Sequence, residues 1–142
     1  MSVKFSQALA ALPHGPEFRF LSQLTALAPG KSGSGEYIMR GDEPWLRGHF
    51  PGAPLMPGVL LVEAVAQLAG VVAQCDPEIP PLVGLKLAAL RNVKILGSAQ
   101  PGEAVQLEAR VVGRLGNLIQ AQATASVNGQ LVLQAELTLS GS

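Results

Sequence analysis

The chain predicts an α+β domain in which a curved antiparallel sheet wraps one long central helix. Three observations lead there. Residues 59–75 are rich in Leu, Ala and Val and show no period-two alternation, so they read as a helix. That helix is apolar nearly all round, which marks it as enclosed by other structure. After Pro80-Pro81, four strand-length segments follow one another between turn signals. With 142 residues there is room for one domain, spanning 1–142, and no comfortable room for two. Only a sheet bent around the helix covers every face of it in so short a chain.

In chain order, residues 5–12 read as a short amphipathic helix stopped by Pro13. Residues 18–28 read as a strand closed by Pro29-Gly30, and 36–40 as a second strand. Residues 44–57 form a loop in which prolines at 44, 51, 54 and 57 exclude regular structure. Pro57 suits the first turn of the long helix, where a missing N–H is no loss. Residues 82–96, 104–115, 118–127 and 131–139 are the later strands, separated by Gln100-Pro101-Gly102, Gly116-Asn117 and Asn128-Gly129. Asn-Gly between alternating runs predicts a tight type I′ hairpin. No repeat, low-complexity segment or linker interrupts the chain.

Composition excludes several classes. Ten basic and ten acidic residues cancel and the pI is near 6.7, so the global basic field of a nucleic-acid binder is missing. One cysteine and two histidines leave no internal disulfide and argue against zinc. Cys75 reads as a small buried hydrophobe at a helix end. The N-terminal stretch lacks the apolar core of a signal peptide, which predicts a cytoplasmic protein. Residues 57–73 are the only transmembrane candidate, but they begin at a Pro and hold Glu63 and Gln67 near the centre, so no membrane span is expected.

The chemistry concentrates in residues 48–70, GHFPGAPLMPGVLLVEAVAQLAG. Between Phe50 and Gly70 the one charged side chain is Glu63. Burying a carboxyl group is unfavourable unless it is partnered or neutralised, so its presence demands a reason. Gln67 follows at i+4 on the same helix face, placed to orient it. Held among apolar groups, Glu63 would keep its proton and is a candidate general acid. His49, in the loop feeding the helix, is a candidate general base. Between them the helix N-terminus offers free N–H groups at Gly58 and Val59, which favour developing negative charge. A base, an acid and an oxyanion site in apolar surroundings suit removal of a proton beside a carbonyl with loss of a hydroxyl one carbon further on. The alternative is that His49 satisfies loop backbone and Glu63 is an ordinary bonded carboxyl.

The motif H-F-P-x-x-P-x-M-P-G-V-L-x-x-E-A-x-A-Q runs without a gap from His49 to Gln67. It resembles the FabZ-type 3-hydroxyacyl-[acyl-carrier-protein] dehydratases, and LPHGPEF, LAPGK, VKILGSAQPGEAVQLEARV and ASVNGQLVLQAELTL are similar to other blocks of that family in the same order. The resemblance implies a hotdog fold, dimeric through one continuous sheet, and dehydration of (3R)-hydroxyacyl-[acyl-carrier-protein] to the trans-2-enoyl product in fatty-acid or related acyl-chain biosynthesis. It implies His49 and Glu63 as the catalytic pair, contributed by different subunits. Gly58 then polarises the thioester carbonyl, with Val59 beside it; Gln67 positions the acid, and Phe50 and Met56 line the substrate slot. Met56 serves equally well as core packing. Neither metal nor organic cofactor is implied, and homodimers that pair further into trimers of dimers are common in the family. The chain departs from the family at Gly15, Glu17, Ser22, Gln23, Ile95 and Ser98, which leaves room for a specialised paralogue acting on another acyl chain.

An acidic carrier protein needs a basic docking surface. Lys86, Arg91, Lys94, Arg110 and Arg114, with Arg47 beside the site, supply one candidate; solvated strand faces are the alternative. Because a fold does not dictate a reaction, a hydratase or thioesterase acting on coenzyme A esters and a non-catalytic acyl-chain binder also remain open. His14 reads as a structural loop residue, having no partner nearby in sequence, and Trp45 as packing at a tunnel or a subunit contact.

Overall fold

A computed structural model describes residues 5–10, 12, 14–15, 18–48 and 55–142. Residues 49–54 of the Pro-rich loop, with His49 and Phe50, lie outside the described residues. The described elements are α1 (Phe5–Ala10), β1 (Gln23–Ala28), β2 (Ser32–Ile38), a 3-10 turn (Pro44–Gly48), α2 (Gly58–Gln74), β3 (Lys86–Ile95), β4 (Ala104–Leu115), β5 (Leu118–Val127) and β6 (Gln130–Ser140). All strand pairings are antiparallel, in the sheet order β1-β2-β4-β5-β6-β3.

The sheet closes on α2 because its strands alternate. Along β4, Val105, Leu107 and Ala109 are buried while Gln106, Glu108 and Arg110 face outward. Ala109, Ala123 and Ala135 stand side by side across β4, β5 and β6, and α2 answers with Ala64, Ala66, Ala69 and Ala73, all buried. Small residues on both surfaces let helix and sheet approach closely. The helix packs on β2, β4, β5 and β6.

Most predicted elements hold to within a few residues, and three differ for physical reasons. The expected strand at 18–28 begins only at Gln23, because the Phe18 carbonyl and Phe20 N–H are already engaged by the Gln67 side chain. The second strand starts at Ser32 rather than 36, so SGSG belongs to the strand. A Cβ on Gly33 would lie 2.7 Å from Val72 Cγ2, so the helix sits where only glycine leaves space. Part of the loop expected to be irregular is a 3-10 turn, with Pro44 at its first position. The Asn128-Gly129 hairpin has positive φ at both residues, 51° and 77°, as a type I′ turn requires.

Gly33→Ala is expected to destabilise the fold by about 1–3 kcal/mol, since Val72 is stiff at χ1 and cannot swing aside. Urea unfolding checks it; an unchanged midpoint would mean that the helix-sheet spacing is not set there.

Candidate active site

Glu63 emerges about one and a half turns into α2, roughly 7.5 Å along the axis from Gly58. Its side chain is 25% exposed, so the enclosure expected for this carboxyl is incomplete: it faces an open cavity. That cavity has a volume of about 720 Å³ and a largely apolar wall. Its floor is the stripe Glu63, Ala66, Gly70 and Gln74, one face of α2 at helical spacing. Leu82, Leu85 and Leu87 form one side, and Ala8 and Leu12 another. From Glu63 to Gln74 the floor runs roughly 16 Å.

At the far end the Gln74 amide is fixed both ways by one backbone residue. Its Nε2 donates to the Leu82 carbonyl (2.7 Å), and the Leu82 N–H donates to its Oε1 (3.1 Å). This clasp satisfies a polar side chain at an apolar wall. Cys75 follows, half-buried, and burial pushes its thiol up, so it behaves as a small hydrophobe.

The near end is polar. Gln67 is buried, and its amide is held by the Phe20 N–H, which donates to Oε1 at 2.8 Å. Its Nε2 donates to the Phe18 carbonyl at 2.8 Å and to Glu63 Oε2 at 3.1 Å. The predicted orienting role of Gln67 therefore has a geometry. His14 stands on the same oxygen, with Nε2 3.5 Å from Glu63 Oε2. Position 14 carries no sequence signal for this pairing, because the two residues meet only through the return of the 12–20 segment across α2.

The helix N-terminus begins at Pro57, which carries no side-chain cap. Leu60 and Leu61 donate to the Pro57 carbonyl, whereas the N–H groups of Gly58 and Val59 make no hydrogen bond among the described residues. A Cβ on Gly58 would stand 2.7 Å from Ile95 Cδ1, so this glycine lets the end of β3 close over the helix start. Val59 is 71% exposed beside it. Met56 is buried, with its N–H on the Ala99 carbonyl at 2.9 Å. Trp45 packs edge-on to Phe20, 6.3 Å between ring centres.

Upstream of His49, buried Glu43 ties down the loop. Its carboxylate accepts from the Tyr37 hydroxyl (2.5 Å), the Arg40 N–H (3.0 Å) and the Gly41 N–H (2.7 Å). Burial alone would raise this carboxyl, but the three donors together hold it below the usual carboxylate range. Burial, reinforced by the Glu43 carboxylate, pushes the Tyr37 hydroxyl well above its ordinary value.

The expected basic surface is not one patch. Arg114 donates to the Ala73 carbonyl at 2.9 Å and caps the C-terminal end of α2. Arg91 is paired across the sheet with Glu136. Lys94 and Arg110 share an open groove on the outer sheet face with Glu108 and Glu136. Lys86 alone of these lines the cavity. Among the described residues no group of three metal donors occurs, and no helix is long and apolar enough to cross a membrane.

Residues 12–136 match the family model described as FabA-like domain. A protein of Roseiflexus sp. (strain RS-1) named 3-hydroxyacyl-[acyl-carrier-protein] dehydratase FabZ is 35% identical over 131 residues, covering 92% of this chain and 91% of the relative. One of the same name from Clostridioides difficile (strain 630) is 36% identical over 126 residues, covering 89% and 88%. Among solved structures, the dehydratase heterocomplex ApeI:P from Xenorhabdus doucetiae superposes with a TM-score of 0.79 at 14% identity, covering 99% of this chain and 93% of that one. Zebra fish thioesterase superfamily member 2 superposes with a TM-score of 0.72 at 17% identity, covering 99% and 100%. At these identities the structural likeness speaks for the architecture, which is the hotdog fold.

Proposed function

We infer the chemistry of the cavity from one premise: the chain belongs to the FabZ-type 3-hydroxyacyl-[acyl-carrier-protein] dehydratases of the FabA-like family. Its reaction is the dehydration of a 3-hydroxyacyl-[acyl-carrier-protein] to the 2-enoyl thioester in fatty-acid biosynthesis. The observation that carries the mechanism is Glu63 at the head of an apolar cavity, with one carboxyl oxygen held by Gln67 and no hydrogen bond to the other among the described residues.

In this mechanism the acyl chain lies along the α2 stripe and the thioester carbonyl meets the Gly58 and Val59 N–H groups. His49 takes the proton from C2, and the electron pair moves to the carbonyl oxygen, where those N–H groups stabilise the enolate. As the pair returns, the bond from C3 to its oxygen breaks. Glu63 gives its proton to the departing hydroxyl, and water leaves. The proton on His49 then passes back to the Glu63 carboxylate, so the pair ends as it began. In the same reading Phe50, Val59 and Met56 contact the substrate.

A second copy of the chain completes the site in this reading, supplying His49 to face Glu63. The sheet edge at β3 supports it: Leu90, Ile95 and Leu96 are exposed there, and an unpaired apolar edge is a template for another strand. In the same reading, dimers join as trimers of dimers. Lys86 at the cavity marks where an acidic carrier would dock. A cytoplasmic location belongs to the same reading.

The test incubates the protein with a (3R)-hydroxyacyl thioester on carrier protein and, separately, on coenzyme A, following the conjugated enoyl product. Enoyl formation with preference for the carrier ester is the expected result. Equal turnover of both esters would remove carrier docking, and hydrolysis without enoyl would remove dehydration.

A further inference from the structure

We propose that His14 is a positioning residue for Glu63, one that assigns the acid's proton to Oε1, the oxygen that Gln67 and His14 leave open. The proposal rests on the dehydratase reading above and adds a residue to its machinery. Glu63 Oε2 is approached by two nitrogen groups, Gln67 Nε2 at 3.1 Å and His14 Nε2 at 3.5 Å. Oε1 has no hydrogen-bond partner among the described residues, and the side chain lines the cavity. A carboxyl oxygen that accepts the Gln67 N–H and has a second nitrogen 3.5 Å away acts as the carbonyl oxygen, so the acid's O–H belongs on the other. Gln67 and His14 together thereby put the transferable proton on Oε1, the oxygen left to meet a substrate hydroxyl. At 3.5 Å the His14 contact is long, as catalytic contacts are before substrate draws them in.

The His14 ring is itself held. Arg19 Nη2 donates to the carbonyls of Leu12 (3.2 Å) and His14 (3.0 Å), clamping the segment from behind. The ring stacks on Phe18 at 6.1 Å between centres, and Phe18 packs edge-on to Phe20 at 4.9 Å. Phe18 and Phe20 are the same two residues whose backbone fixes Gln67. One short segment therefore sets both donors on one oxygen. The imidazole Nδ1 is buried without a hydrogen-bond partner among the described residues, which favours the tautomer with the N–H on Nε2, aimed at Glu63.

The experiment compares His14→Leu with His14→Gln, which keeps a side-chain N–H. His14→Leu is expected to lower kcat roughly ten- to a hundredfold with KM within about twofold, and His14→Gln to recover most of the loss. Both should melt near wild type. Equal losses in two folded variants would overturn the proposal, as would a loss confined to KM. A reciprocal measurement leaves position 14 intact and needs no turnover. The ¹⁵N signal of His14 Nε2 should shift when Glu63→Gln is introduced, and a stationary signal would mean the contact is absent. Should wild type fail to dehydrate while that signal moves, the dehydratase reading falls and the His14–Glu63 contact stands.

Discussion

Glu63→Gln is expected to lower kcat/KM for dehydration by roughly 10²–10⁴-fold, the range lost with a positioned general acid. The amide keeps the size of the carboxyl group but has no acidic proton to give the leaving hydroxyl. Folding should be untouched: the side chain is a quarter exposed, and Gln67 retains its bonds to Phe18 and Phe20. The melting temperature is therefore the control, and the rate is the readout. His49→Ala should cause a loss of similar size by removing the base. The two defects are expected to complement each other. If His49 and Glu63 meet across a subunit boundary, unfolding and refolding the two variants together makes mixed dimers with one intact site. Activity should return in the mixture. A mixture as inactive as its components would place both residues within one chain, and a Glu63→Gln enzyme at wild-type rate would end the acid assignment.

Removing the buried carboxylate at Glu43 is the largest stability effect expected. Glu43→Leu strands the Tyr37 hydroxyl and the Arg40 and Gly41 N–H groups, and should lower unfolding free energy by about 3 kcal/mol or more. Acid should reproduce part of this in the wild type. The folded carboxyl lies below its ordinary value, whereas in the unfolded chain it titrates near 4.3. Its contribution is thus complete above about pH 4.3 and is lost as the pH falls through the lower, folded value. Urea unfolding of wild type and Glu43→Gln from neutral pH into acid checks the sign: the gap between them should narrow only in that acid window. A gap that widened in acid would contradict the depressed carboxyl. The consequence reaches the site because Glu43 anchors the 3-10 turn that leads directly into His49.

Charge shows where a linear reading goes wrong. Residues 86–114 look basic when counted along the chain, yet antiparallel pairing sets Arg91 against Glu136 on β6, far away in sequence. Arg114 is drawn under the helix to cap Ala73. Counting along one segment ignores the partner strand, where Glu136 stands in register with Arg91 and accepts from the Asn92 amide. The glycines of β2 mislead similarly. SGSG precedes the strand expected at 36–40, but it is strand, and Gly33 serves the close seating of Val72, a contact between residues of different elements.

What the sequence determined by itself was everything local. The apolar run of α2, the period-two strands, the Asn128-Gly129 hairpin and the Gln67-Glu63 spacing each follow from short-range periodicity or from φ preferences, so they could be read without coordinates. The gapless motif from His49 to Gln67 belongs with them. Tertiary structure alone decided what stands opposite each of these. It brought His14 across α2 to Glu63, clasped Gln74 to Leu82 at the far end of the cavity, and broke the basic run apart. Such contacts are made by residues that share no register along the chain, and only the packing of helix against sheet specifies them.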